Sequence, residues 1–219
     1  MFESKYSKVL TVILVIVIIA IIGLLGLLGF DYYKKVTSSK DASNFVNDYQ
    51  EVENEEIEKN EKEEVVNNPF EQLKDNQVQQ SKETTKKQYK GFTTIGTIEI
   101  PKTNVKYPIL EKLTRSSLET SVVFLTGTGL NKPGNSVIIG HNYRNGMFFS
   151  NNKKLKNGDK IYITDESGKK LTYTIYKKFE ASADDTSFYQ RDTAGKPEIT
   201  LSTCTDNSKA RLIIFAKVD

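Results

Sequence analysis

The hydrophobic positions divide the chain into three parts. Residues 9–30 form a run of 22 residues without a charge, and residues 31–90 are mostly polar or charged. Residues 91–219 contain short apolar runs separated by Gly, Asn, Pro and Lys. This pattern predicts a membrane helix, a polar stalk and a mainly β domain of typical single-domain size.

The apolar run at residues 9–30 is long enough to cross a bilayer. A helix of this length covers roughly 33 Å at about 1.5 Å per residue. A cleaved signal peptide is the alternative, but its apolar region usually has about 7–15 residues and ends at a small-residue site. Residues 27–30 offer no such site. We therefore expect a single-pass anchor in the cell membrane, with residues 1–8 in the cytoplasm and the large domain outside.

The segment at residues 31–90 is predicted to be a charged stalk or linker. Within it, residues 41–65 carry ten acidic residues and two lysines. Phe45, Tyr49 and Val52 have the spacing of one short helical face. The rest can be solvated helix or disorder, and a spacer is favoured over a specific binding role for the acidic run.

The pattern from residue 91 onward predicts eight short strands and little helix. The predicted strands cover residues 95–101, 105–110, 121–125, 136–141, 160–164, 171–179, 198–204 and 211–218. A short helix is expected at residues 113–120, one helical turn at 147–152 and a loop at 181–196. Eight strands of this kind favour an all-β, closed or nearly closed barrel.

The last two strands form a hairpin whose register follows from the pattern. Placing Cys204 opposite Arg211 puts a thiol and a guanidinium side by side on one face. The same register pairs apolar residues on the other face, Leu201 with Ile214 and Ile199 with Ala216. A slip of one residue would mix the two faces, so this register is favoured.

Composition excludes several classes of function. The net charge is +3, with lysines scattered among acidic residues, so a nucleic-acid partner is not expected. A single cysteine excludes an intrachain disulfide. A single histidine excludes most metal sites built from Cys and His, and we expect neither a metal nor another cofactor.

The candidate chemistry lies in Cys204, His141 and Arg211. A free cysteine is often inert core filler. Cys204, however, ends a strand where a groove can reach it, and a neighbouring cation such as Arg211 favours the thiolate. His141 ends another strand, and histidine is the usual acid–base partner of a nucleophilic thiol. A lone histidine at a strand end is more often a surface residue, and the sequence alone does not show whether the three groups meet.

Three motifs resemble the sortase family. They are Thr-Leu-Ser-Thr-Cys at residues 200–204 with Arg211 downstream, Gly-Asn-Ser-Val-Ile-Ile-Gly-His at 134–141 and Gly-Thr-Ile-Glu-Ile-Pro at 96–101. The resemblance covers about residues 94–218 and includes the N-terminal anchor. It implies an eight-stranded barrel on the outer face of a Gram-positive membrane.

The same resemblance implies a cysteine transpeptidase. Such an enzyme cleaves the C-terminal sorting signal of a secreted protein, of LPxTG or NPxTx type, after Thr through a thioacyl intermediate. It then joins the new carboxyl group to an amine of peptidoglycan or of its lipid-linked precursor. Cys204 would be the nucleophile, His141 the proton donor and acceptor, and Arg211 a hydrogen-bond donor to the substrate carbonyl or oxyanion. Ser202 shares the face of Cys204 by strand alternation, so it would contact the substrate or orient the site, although an ordinary solvent-facing strand residue is an equal alternative. Thr203 and Ile213 are the other candidates for substrate contact.

The subclass and the acceptor stay open. Ser202 resembles class B, whereas residues 181–196 are too short for the long helix of that class and are more like class A or D. Residues 121–140 contain no Asp or Glu, so no calcium site is expected. The absence of an apolar helix after residue 218 argues against the pilus-building class. The alternative functions are a pilin polymerase that uses a lysine amine and a non-catalytic, membrane-tethered binding module.

Overall fold

The computed structural model describes the backbone of residues 4–64 and 87–218, and the side-chain surroundings of residues 9–50 and 87–218. The chain divides into two compact units, Met1–Lys40 and Asp41–Asp219. Helix α1 extends over Ser4–Glu64. Its apolar run in the first unit is exposed, and it is long and apolar enough to cross a membrane.

The second unit is a β structure with short helical connections. Within residues 87–218 the strands are β1 (Gln88–Tyr89), β2 (Phe92–Ile100), β3 (Val105–Leu110), β4 (Val122–Gly127), β5 (Gly134–Ile139), β6 (Lys160–Asp165), β7 (Lys170–Ser182), β8 (Pro197–Cys204) and β9 (Ala210–Val218). Helix α2 (Arg115–Thr120) lies between β3 and β4, and 3₁₀ turns lie at Pro101–Thr103 and Asn152–Lys154. The helix predicted at residues 113–120 is therefore formed, two residues shorter at its start.

The eight longer strands close into a barrel. Their order is β2-β3-β4-β5-β8-β9-β7-β6, and β6 pairs back with β2. The β3–β4 and β5–β8 pairs are parallel, and the other pairs are antiparallel. Strand β1 adds two residues beside β2. The predicted eight-stranded barrel is confirmed.

The barrel interior is filled by alternate apolar residues of neighbouring strands. Ile98 lies opposite Ile163, and Leu201 lies opposite Ile214. All four are at most 1% exposed. Because side chains alternate along a strand, this inward set leaves the other face of β8 and β9 on the outside of the barrel, where the candidate chemistry lies.

One predicted element is wrong. Residues 147–152 do not form a helical turn, and the nearest 3₁₀ turn lies at Asn152–Lys154. Phe148 has a φ of 49° and forms an isolated β-bridge with Asn142. This left-handed backbone cannot continue a right-handed helix. Phe148 and Phe149 are fully buried, so tertiary packing determines the local conformation.

Residues 41–50 of α1 pack on the barrel within the second unit. Val46 and Tyr49 are at most 3% exposed. The Phe45 ring lies edge-on to Tyr89, with 5.1 Å between ring centroids. The helical face predicted from the spacing of Phe45 and Tyr49 is therefore formed, with Tyr49 buried and Phe45 partly buried.

The predicted stalk falls partly outside the described residues. Residues 65–86 and the side chain of Val52 lie outside them. Helix α1 continues through the acidic segment to Glu64, in agreement with the helical alternative. The domain boundary between residues 90 and 91 stays a prediction.

Candidate active site

Cys204 and Arg211 lie side by side next to the turn that joins β8 to β9. The observed register pairs them directly, as the sequence pattern predicts. The Arg211 guanidinium donates a hydrogen bond through Nη1 to the Cys204 sulfur. Cys204 is partly exposed. A thiol so placed is accessible to a substrate, and a cationic hydrogen-bond donor lies directly beside it.

His141 lies directly beyond the end of β5, next to the end of β8. The parallel register pairs Ile139 with Ser202, and the Gly140 amide continues the ladder by donating to the Ser202 carbonyl at 3.2 Å. Two further residues along each strand bring His141 level with Cys204. Neighbouring strands lie about 4.8 Å apart, so the two backbones are adjacent at this edge.

Gly140, directly before His141, lies where neighbouring side chains leave no room for a side chain of its own. A Cβ atom at this position would lie 2.9 Å from the Phe149 ring and 3.0 Å from a methyl group of Val122. The chain directly before His141 therefore packs against the buried core without a side chain, and glycine is the residue that fits here.

The His141 ring is held by an aromatic neighbour in a half-buried position. It stacks at 4.7 Å on Tyr143, with 32° between the ring planes. Burial lowers the pKa of His141 below its usual value, and the negative charge of Glu119 opposes this effect. A lowered pKa keeps the imidazole neutral at neutral pH, which is the form that can accept a proton.

Asn142 links the histidine segment to the cysteine segment. Its Nδ2 donates to the Cys204 carbonyl at 2.9 Å and to Asp206 Oδ1 at 3.0 Å. Asp206 is also bound by Lys153 at 2.6 Å, and Arg144 donates to the Asp206 carbonyl at 2.9 Å. The hydrogen bond from Lys153 lowers the pKa of Asp206. Sequence reasoning missed this link, whose only local signal is an Asn next to the lone histidine.

The three residues expected to contact substrate lie in different surroundings. Ser202 shares the outer face of β8 with Cys204 and is 7% exposed. Ile213 lies opposite Ser202 and is completely buried in a small apolar cluster with Phe188. Thr203 points to the other face of the strand, is 4% exposed, and its hydroxyl has no partner among the described residues.

A cavity of about 250 Å³ opens beside the cysteine. Thr203, Cys204 and Leu212 contribute to its wall, together with Asn142, Glu180 and Asp206. Cys204 is therefore reached from this cavity. Among the described residues, no group of three or more His, Cys, Asp or Glu side chains is arranged to hold a metal ion.

Comparisons with known proteins identify the family. A family model described as "Sortase domain" matches residues 98–219. Sortase A of Bacillus anthracis is 32% identical over 123 residues, which cover 54% of this chain and 57% of that protein. Sortase A of Streptococcus agalactiae serotype III is 30% identical over 132 residues, covering 57% of this chain and 53% of that protein. The chain thus spans about half the length of these relatives.

The fold comparison agrees with the sequence comparison. The structure of a Clostridium perfringens Sortase D5 transpeptidase is similar, with a TM-score of 0.53 and 32% sequence identity. The match covers 58% of this chain and 79% of that chain. Because the family model matches more than half of the residues and the barrel is that of solved sortases, this chain belongs to the sortase family.

Proposed function

We propose that this protein is a membrane-anchored cysteine transpeptidase that cleaves a C-terminal sorting signal after Thr and transfers the new carboxyl group to a cell-wall amine. The proposal rests on the edge of the barrel where β5 and β8 end and β9 begins. There the sulfur of the chain's single cysteine accepts a hydrogen bond from Arg211, and the single histidine follows the adjacent strand.

In the first half of the proposed reaction, His141 accepts the thiol proton and the Cys204 sulfur attacks the threonine carbonyl. Arg211 donates hydrogen bonds to the oxygen that becomes negatively charged. Its guanidinium offers several N–H donors in a fixed planar arrangement. The tetrahedral intermediate then breaks its C–N bond, and the imidazolium gives its proton to the departing amine. The product is a thioester between Cys204 and the substrate threonine.

In the second half, an incoming amine attacks the thioester carbonyl. His141 accepts a proton from this amine, and the C–S bond breaks as the amide forms. The Cys204 thiolate leaves beside Arg211, and the proton returns to it from the imidazolium. The reaction conserves the number of amide bonds and requires no cofactor.

The proposed donors are secreted proteins with a sorting signal of LPxTG or NPxTx type, and the proposed acceptor is peptidoglycan or its lipid-linked precursor. The exposed apolar part of α1 supports a location in the cell membrane. Catalysis on secreted proteins requires the barrel to face the extracellular side. A pilin polymerase with a lysine acceptor and a non-catalytic binding module are the alternatives.

The test uses the full chain in detergent micelles with LPxTG-like and NPxTx-like peptides. We expect cleavage after Thr, capture of the acyl group by hydroxylamine, and a mass increase on Cys204 equal to the acyl fragment. Cys204→Ala should abolish all three signals. Absence of any acyl adduct on the unmodified chain, across both peptide sets, would contradict the proposal.

The acceptor is tested separately. A peptidoglycan amine and a pilin-type lysine peptide are offered to the acyl enzyme in equal amounts, and the products are separated by mass. Preferential transfer to the peptidoglycan amine supports wall anchoring, whereas preferential transfer to lysine identifies a pilin polymerase. A Cys204→Ala strain that still anchors its surface proteins fully would instead support a binding module.

A further inference from the structure

The segment at residues 142–148 folds into a closed loop directly after His141. Its two ends are joined by the β-bridge between Asn142 and Phe148. Inside the loop, Asn142 Oδ1 accepts a hydrogen bond from the Arg144 amide at 3.1 Å, and Arg144 has a left-handed φ of 59°. These contacts fix the backbone on both sides of Tyr143. The loop therefore determines where the Tyr143 ring lies.

A row of ring contacts joins the imidazole to the barrel core. The Tyr143 ring lies between the rings of His141 and Phe148, with 4.7 Å and 5.8 Å between the respective centroids. Phe148 in turn lies 5.1 Å from Tyr107 of β3. Phe148 and Tyr107 are buried, whereas Tyr143 is 42% exposed. These separations are those of favourable aromatic pairs, so the core fixes the Tyr143 ring and this ring packs on the imidazole.

The imidazole of His141 is oriented without a hydrogen bond. Across residues 9–50 and 87–218, neither ring nitrogen of His141 is bonded to another residue. In a Ser-His-Asp triad, by contrast, a carboxylate bonded to one nitrogen holds the ring and leaves the other nitrogen for catalysis. Tyr143 contacts the imidazole through its ring, so both nitrogens of His141 stay available for proton transfer.

The charged groups near the two rings do not fix the imidazole. Glu119 of α2 acts on both His141 and Tyr143 through its negative charge. Its carboxylate is exposed and paired with Arg115 at 3.1 Å. A screened charge of this kind changes proton affinity but imposes no ring orientation. Burial raises the pKa of Tyr143, and Glu119 adds to this effect, so the Tyr143 hydroxyl stays neutral during the reaction.

We propose that Tyr143 is a positioning residue for His141. Its ring restricts the rotation of the imidazole, so that His141 keeps one orientation while it accepts the thiol proton and later the proton of the incoming amine. The planar ring performs this role, and the hydroxyl group is not required. Tyr143 acts through His141 and does not touch the reacting atoms. This inference rests on the proposed function, because it assigns both proton transfers to His141.

The test compares Tyr143→Leu, which keeps an apolar side chain without a ring, with Tyr143→Phe, which removes only the hydroxyl. Each full chain in micelles is assayed for kcat and KM across pH with the sorting-signal peptide that the unmodified chain cleaves. For Tyr143→Leu we expect kcat to fall about tenfold or more at every pH, with KM within about twofold. Tyr143→Phe should match the unmodified chain. So should the control Leu113→Ala, which changes the other exposed large apolar side chain of residues 87–218.

A second measurement keeps the test independent of the folding of Tyr143→Leu. The chain has one histidine, so its imidazole NMR signals are unambiguous. The unmodified chain and Tyr143→Phe should show nuclear Overhauser contacts between this imidazole and the ring of residue 143.

Absence of these contacts in the unmodified chain would overturn the inference. So would a kcat of folded Tyr143→Leu within about twofold of the unmodified chain, full recovery of its kcat at a shifted pH, or an equal loss in Tyr143→Phe. If the unmodified chain cleaves no peptide, the proposed function fails instead, and the NMR contacts still report whether the rings stack.

Discussion

The link from Asn142 to Cys204 gives a quantitative test of how the site is assembled. Asn142→Ala removes the hydrogen bonds to the Cys204 carbonyl and to Asp206. The first is partly buried and joins neutral groups, so its loss should cost about 1 kcal/mol in the free energy of unfolding. For a unit of this size, that corresponds to a decrease of about 2–4 °C in melting temperature. The exposed bond to Asp206 should add little, because water replaces it.

The effect on catalysis should exceed the effect on stability. Asn142 directly follows His141 and bonds to the residue that carries the thiol, so its loss frees the two segments to move apart. A displacement of about 1 Å between reacting groups can cost up to about 100-fold in rate. We therefore expect kcat for peptide cleavage to fall by about 10- to 100-fold, with KM nearly unchanged.

The assay measures kcat and KM by steady-state cleavage, together with thermal unfolding of the same samples. The matched control is Asn157→Ala, which changes an exposed asparagine in the turn before β6. It should alter neither quantity appreciably. If Asn142→Ala lowers the melting temperature but leaves kcat within about twofold, the link only stabilises the fold and the reasoning is refuted.

Four further predictions concern Arg211, His141 and the glycine before His141. Arg211→Ala should lower kcat by about 100- to 1000-fold, as expected for the loss of a donor to the oxyanion, with Arg211→Lys recovering part of it in the same cleavage assay. Burial lowers the pKa of His141, so the unfolded chain binds its proton more readily, and the unfolding free energy should fall as pH decreases through the usual histidine range. Because the negative charge of Glu119 raises the pKa of His141, Glu119→Gln should lower this pKa further. NMR titration of the single imidazole measures the change. An unchanged or higher pKa would show that the Glu119 charge does not act on His141. Gly140→Ala should destabilise the fold by about 1–3 kcal/mol in denaturant unfolding, because the new methyl group collides with the Phe149 ring, and wild-type stability would show that the ring can move aside.

The parts of the structure that the sequence predicts are those with a repeating pattern. The β8–β9 register follows from alternation, because any slip by one residue would bring core side chains to the outer face. The observed pairing of Cys204 with Arg211 agrees with this argument. The eight strands are likewise recognisable because each carries its own apolar positions between turn residues.

The parts that the sequence does not predict depend on contacts between distant segments. Asn142 and Cys204, which a hydrogen bond joins, are separated by 62 residues. Single polar side chains of this kind have no periodicity, so nothing local distinguishes them from exposed loop residues. The same cause explains the wrong helical turn near Phe148, where burial and a β-bridge determine the backbone.

The arrangement of β5, β8 and β9 explains why the proposed reacting groups converge without any special loop. In the parallel β5–β8 pair, both strands end at the same edge of the sheet, so the residues that follow them are adjacent. In the antiparallel β8–β9 pair, β9 begins where β8 ends. Cys204 ends β8, His141 follows the end of the parallel neighbour β5, and Arg211 lies at the start of the antiparallel neighbour β9. The three residues therefore lie at one edge of the sheet. It follows that the proposed chemical step depends on pairings that the barrel core maintains.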